Sequence, residues 1–256
     1  MQNNDLNELQ SLAQLGNVEA IKKLAKFYYD AGNYNLAFQC ASRFTFVKDI
    51  EGYRLLAKYY EKGIGVEIDL NKALYYYQLA FDLGDYVSGY LLALRHVKDN
   101  KYDLAIKYLP LGVYNDYVPS IKLLADCYLQ GWGIIKNHQI ALNLYEKLLS
   151  LGENRYNDQI GKIYYQDGDY YKAFTYFEKG ANLFDLEAIY HLAICYAKGQ
   201  GTALDNKKAI YYYEIGEKNN HPKCIYNLAI HYQKGIGVNV DLEKANMLFK
   251  KYQELK

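Results

Sequence analysis

Apolar residues recur at i, i+3, i+4 and i+7 along most of this chain, the period of amphipathic helices. In residues 50–84, Tyr53, Leu56, Ala57 and Tyr60 mark one helix, predicted over about 50–62. Gly63 and Gly65 interrupt it, and Ala73, Tyr76, Tyr77 and Ala80 mark a second. The pattern repeats in phase. The pair Leu24-Ala25 returns as Leu56-Ala57, Leu92-Ala93, Leu124-Ala125, a degenerate Ile160-Gly161, Leu192-Ala193 and Leu228-Ala229. A second small anchor follows each pair, at Ala37, Ala73, Ala105, Ala141, Ala173, Ala209 and Ala245. The step from first anchor to second is 12 or 16 residues, and the step onward to the next pair is always 20. A constant junction with an internal loop that varies by four residues describes stacked helical hairpins. The expected fold is therefore an all-α, right-handed solenoid of seven hairpins over residues 17–256. One N-terminal helix over 5–16, with Leu6, Leu9, Leu12 and Leu15 on one stripe, is expected to cap it.

Two further columns refine this picture. Four residues before each second anchor stand Asn33, Asp69, Lys101, Asn137, Asp169, Asp205 and Asp241. Asp and Asn accept hydrogen bonds from the free amides of a helix start, so these positions predict N-caps. Lys101 is the exception, and Asp99 or Asn100 is the expected substitute. Three residues after each first anchor stand Tyr28, Tyr60, His96, Tyr128, Tyr164, Tyr196 and Tyr232. That column shares the anchor's face and is expected to wedge between the two helices of each hairpin.

The long repeats resemble the Sel-one-like repeat family. The likeness rests on Lys62-Gly63-Ile64-Gly65-Val66 with Asp69-Leu70-Asn71-Lys72-Ala73, and on Lys234-Gly235-Ile236-Gly237-Val238 with Asp241-Leu242-Glu243-Lys244-Ala245. Gly131-Trp132-Gly133 and Gly199-Gln200-Gly201 are looser copies. The short repeats resemble tetratricopeptide repeats, most clearly at 164–173. The resemblance implies a non-enzymatic scaffold or adaptor, from a bacterial setting, that binds a peptide or protein in a concave groove. It also implies an alternative, an immunity protein that neutralises a secreted toxin. A third branch, cysteine-rich and linked to penicillin binding or hydrolysis, has paired cysteines and a signal peptide, which this sequence lacks.

Composition narrows the function further. Thirty basic residues against 29 acidic ones leave a net charge of +1, which gives no global field toward nucleic acid or anionic membrane. No apolar run is long enough to span a bilayer, and a cytoplasmic location is expected. Cys127 and Cys195 fall two repeats apart, ~20 Å at ~10 Å per packed helix, beyond the ~7 Å that a disulfide tolerates. All four cysteines are expected reduced. His191 and Cys195, four apart, with His231 on the next equivalent helix and His221 and Cys224 nearby, form the best candidate metal set. Their equivalents Cys127, Ile163 and Tyr59 mark the column as helix packing instead, so no metal or other cofactor is expected. The Gly-x-Gly turns follow helices and lack the third glycine of a dinucleotide loop. No nucleophile is set beside a histidine and carboxylate in a known signature.

By analogy with tetratricopeptide stacks, the first helix of each hairpin lines the groove. Positions three before, one after and five after its anchor then face a partner. In the N-terminal half these are Lys22, Lys26, Asp30, Arg54, Lys58, Lys62, Tyr90, Leu94 and Lys98, followed by Lys122 and Asp126. In the C-terminal half they are Asp158, Lys162, Tyr190, Ile194, Lys198, Tyr226, Ile230 and Lys234. The expectation is a basic half that holds an acidic segment, a C-terminal carboxylate or a toxin surface, and an aromatic half where Tyr190 and Tyr226 anchor an apolar side chain. Single-stranded nucleic acid would also suit lysines beside tyrosines, but the neutral total and absence of Arg-rich tracts disfavour it. No small-molecule substrate is expected.

Overall fold

A computed structural model describes residues 3–255 and is helical throughout, with no strand among them. By contacts the chain divides into two compact units, one ending at Lys136 and one beginning at Asn137. The first contains α1 (Asn3–Gln14), α2 (Val18–Asp30), α3 (Tyr34–Ala41), α4 (Phe44–Val47), α5 (Ile50–Lys62), α6 (Leu70–Asp82), α7 (Tyr86–Lys98), α8 (Tyr102–Tyr114) and α9 (Val118–Gln130). The second contains α10 (His138–Ser150), a 3-10 turn at Asn154–Tyr156, α11 (Asn157–Gln166), α12 (Tyr170–Asn182), α13 (Leu186–Lys198), α14 (Asn206–Lys218), α15 (Pro222–Lys234) and α16 (Leu242–Glu254). Within each unit the long helices pack in chain order on their neighbours, so stability is carried by successive interfaces. No helix among the described residues is long and apolar enough to cross a membrane.

The two anchor columns form the spine of the core: every anchor alanine is at most 2% exposed. The invariant 20-residue junction has a steric cause. Gly112 abuts Ser120, Gly180 abuts Ala188 and Gly216 abuts Cys224, so small residues let one hairpin close directly on the next. The Gly-x-Gly turns serve two purposes. Gly63 ends α5 in the left-handed region at φ +68°, and its amide donates to the Tyr59 carbonyl. Gly65, at φ +66°, lies against the Tyr34 backbone at the start of α3, where a Cβ has no room. Gly131 with Gly133, Gly199 with Gly201, and Gly235 with Gly237 repeat the device.

Six predicted caps close on the amide three residues ahead: Asn33, Asp69, Asn137, Asp169, Asp205 and Asp241. Lys101 has no substitute. Asp99 pairs with Arg95 at 3.2 Å, and Asn100 turns left-handed at φ +57° and accepts from the Tyr102 hydroxyl, so neither side chain caps α8. The aromatic column wedges as expected at four positions, where Tyr60, His96, Tyr164 and Tyr196 stack on Tyr76, Tyr108, Tyr176 and Tyr212. Lys72, Lys172, Lys208 and Lys244 lie over the rings of Tyr60, Tyr164, Tyr196 and Tyr232 at 4.1–5.1 Å. At exposed sites such contacts add about 0.5–1 kcal/mol each.

Two local departures concern the N-terminal end. The first helix stops at Gln14, because Gly16 turns left-handed and Asn17 caps α2. Leu6 and Leu9 join the core, whereas Leu15 falls beyond the helix and is exposed, and Leu12 is 37% exposed. The second helix of the first hairpin breaks between α3 and α4. Phe44 occupies the position held by Ala80, Gly112, Gly180 and Gly216 in four of the other six hairpins, and its fully buried ring fits only against the bare backbone of Gly52. The Ser42 hydroxyl donates to the Phe38 carbonyl, which favours the break.

Candidate functional site

In the N-terminal unit the expected basic positions fall into two groups. Lys22 pairs with Glu51 and, at 3.3 Å, with Asp49. Arg54 reaches the buried Asp85 at 3.0 Å. Asp49 and Asp85 are the N-caps of α5 and α7, so each cation is held by the start of the next first helix. Lys122 pairs with Asp126 one turn along. Lys26, Lys58, Lys62 and Lys98 are exposed and have no acidic partner among the described residues.

In the C-terminal unit, Tyr190, Ile194, Ala197 and Lys198 of α13 face Asn227, Ile230 and His231 of α15 across a cavity of about 290 Å³, with Tyr213 of α14 also lining it. Ile194 and Ile230 supply apolar walls. Asn227 donates to the Tyr213 hydroxyl at 3.3 Å. His231 Nδ1 lies 2.9 Å from the Ile236 carbonyl, an acceptor only, so that nitrogen carries the proton. Burial pushes the Tyr190 phenol up from its ordinary range. Three of the four expected aromatic and apolar residues therefore line one cavity, Tyr190, Ile194 and Ile230, together with the expected Lys198. Tyr226 does not: it is 43% exposed and packs on Phe249 and Tyr252 of α16 at 5.8 and 5.2 Å.

The residues considered as metal ligands are engaged in packing or caps. His191 bonds Asp158 at 2.7 Å and stacks on Phe177 at 4.9 Å. His221 caps α15 and reaches Glu187 at 3.2 Å. Cys195 is fully buried, and burial pushes its thiol up to about 12. Its equivalents Cys127, Ile163 and Tyr59 are likewise buried. Cys40, Cys127, Cys195 and Cys224 are all free thiols. Among the described residues no three His, Cys, Asp or Glu side chains are gathered for a metal.

A buried carboxylate stands beside the cavity's helices. Asp158 is 5% exposed and accepts from His191, with Lys162 at 3.1 Å. Burial raises its pKa, but the His191 hydrogen bond and charge, together with Lys162, more than offset that and hold it below the ordinary range. Asp185, which feels both burial and the Asp158 charge, is pushed the other way. A depressed carboxylate contributes stability that is present above its unfolded pKa and lost as pH falls through the folded one. Asp158→Asn is expected to cost about 2 kcal/mol at pH 7 and to flatten the loss of stability below about pH 4. Urea midpoints measured from pH 3 to pH 7 for both proteins check this, and parallel curves would refute it.

The Sel1 repeat family model matches residues 50–85, 119–153, 159–183, 186–221 and 222–251, more than half of the chain. The chain belongs to the Sel1 repeat family. The matches include 159–183, one of the short repeats, so the Sel1 character is not confined to the long ones. Among curated proteins, a putative sel1-like repeat-containing protein of Acanthamoeba polyphaga mimivirus is 31% identical over 118 residues, which is 46% of this chain. The chain spans only 22% of that relative's length. A Sel1 repeat protein from Oxalobacter formigenes superposes with a TM-score of 0.66 at 26% identity, over 89% of this chain and 94% of its own. A protective antigen present in uropathogenic Escherichia coli strains, which displays an SLR fold, gives 0.70 at 20% identity, over 98% and 58%. Sel1 repeats are generally protein-interaction scaffolds.

Proposed function

We propose that this Sel1-repeat protein is a non-enzymatic interaction module, and that its C-terminal unit takes an apolar side chain of an extended partner segment between α13 and α15. The observation that carries this is the convergence of Ile194 and Ile230 with Tyr190, Tyr213 and Asn227 on one cavity. The apolar walls suit a single aliphatic or aromatic side chain. The amide and phenol groups beside them suit the partner's backbone, since a buried peptide group needs a hydrogen-bonding partner. Burial also raises the Cys195 and Cys224 thiols to about 12, which disfavours the thiolate form of these two side chains. In the N-terminal unit, Lys26, Lys58, Lys62 and Lys98 offer charge to an acidic stretch of the partner. No feature of the geometry favours toxin neutralisation over this reading.

Selection from a displayed random-peptide library tests it. The wild-type chain is expected to enrich peptides that share an apolar residue, and Ile230→Glu is expected to weaken them about tenfold or more. A melting curve for Ile230→Glu establishes first that the fold is retained. Failure to enrich any sequence, or equal binding to both proteins, would overturn the proposal.

A further inference from the structure

The first hairpin's departure from the repeat creates a second surface. Phe44 turns inward and fills the core, and Phe46, two residues on and therefore on the opposite side of α4, is 87% exposed. The early end of α1 leaves Leu15 84% exposed. Both line one cavity of about 680 Å³, together with Val47, Gln39, Ser42 and Arg43. Singly exposed apolar residues need no explanation, but two large ones on the same cavity do. Arg43 supplies the charge. Its guanidinium donates to the Ala13 carbonyl at 3.3 Å and has no acidic partner among the described residues, so most of its donors remain free.

We propose that this corner is a docking site for an extended segment of a partner protein, which lays a large apolar side chain on Leu15 and Phe46 and a neighbouring carboxylate on Arg43. The acid is specified by charge complementarity, because an unpaired guanidinium at the edge of an apolar cavity binds a carboxylate in a geometry that no neutral group reproduces. The site lies in the N-terminal unit and shares no residue with the cavity of α13 and α15, so the two stand or fall separately.

The probes are fluorescein-labelled octapeptides that carry one Leu or Phe and one Asp at one to four residues' distance, with Lys-substituted counterparts. Anisotropy titration of the full chain is expected to show one Asp spacing bound about tenfold more tightly than its Lys counterpart. Arg43→Glu should reverse that preference. Leu15→Ser combined with Phe46→Ser should abolish binding with an unchanged melting curve, since both side chains are exposed, and Ile230→Glu should leave it intact. No saturable binding, no preference between Asp and Lys, or binding that survives the double serine variant would overturn the proposal. So would sedimentation showing a dimer that this variant dissolves, because the occupant would then be a second copy of the chain.

Discussion

Phe177→Ala is expected to destabilise the C-terminal unit by about 4 kcal/mol. The ring is 1% exposed, stacks on His191 at 4.9 Å and packs beside Tyr165. Its removal would leave a cavity and free the imidazole that holds Asp158. The same ring accounts for the one degenerate anchor. A Cβ at Gly161 would run into Phe177, so the alanine found at every other first anchor is excluded there. Gly161→Ala alone gains up to about 1 kcal/mol of helix propensity but forces overpacking of about 1–3 kcal/mol, a net loss. Combined with Phe177→Leu, which makes room, it should recover at least about 1 kcal/mol relative to the sum of the single changes. Urea unfolding of the four proteins closes the cycle. Additive effects would show that Gly161 answers to something other than the ring.

The second large effect separates two uses of glycine within the same unit. Gly201 is left-handed at φ +74° and its α-carbon faces the Tyr170 carbonyl and the Phe174 side chain. Gly168 is also left-handed, at φ +83°, but a methyl group added there would meet nothing within 4 Å. Gly168→Ala therefore meets backbone strain alone, about 1 kcal/mol. Gly201→Ala meets that strain and a collision with backbone that cannot swing aside, about 3 kcal/mol in sum. Stacked helices do not always unfold in one step, so hydrogen exchange in α12 and α14 should accompany the denaturation curves. Accelerated exchange is expected at the start of α12 for Gly201→Ala and not for Gly168→Ala. Equal losses for the two would mean that the second glycine of each turn is retained for its conformation only.

The repeating parts of this molecule are legible because they depend on residues close in sequence. An Asp that accepts from the amide three residues on, or a glycine that ends a helix, leaves a local signature that recurs in phase. The parts that escape depend on residues about one repeat apart. Lys22 and Arg54 stand in a column suited to a ligand, but their charges meet Asp49 and Asp85. A signal for this exists: Asn17, Asp49, Asp85, Asp185 and His221 occupy one column seven or eight residues before the first anchor pair, and all five cap a helix. Laying each repeat over the next places those caps beside the preceding helix. Tyr213 and Asn227 escape for a related reason. The groove positions expected from the sequence lie on the first helix of each hairpin at three fixed offsets, while the cavity draws Tyr213 from the second helix and Asn227 from a fourth position on the first. The break before α4 has a visible signal, a phenylalanine where four of the other six hairpins carry Ala or Gly and two carry Leu148 and Tyr252, with Gly52 eight residues later as its complement.

Entry of a partner's apolar side chain between α13 and α15 is tested most directly by methyl NMR of the isoleucine-labelled full chain, titrated with a peptide selected on the wild-type protein. Saturable shifts are expected at Ile194 and Ile230, with little change at Ile160 and Ile163, which are buried away from the cavity. Shifts that leave Ile194 and Ile230 unmoved while other methyls respond would contradict it.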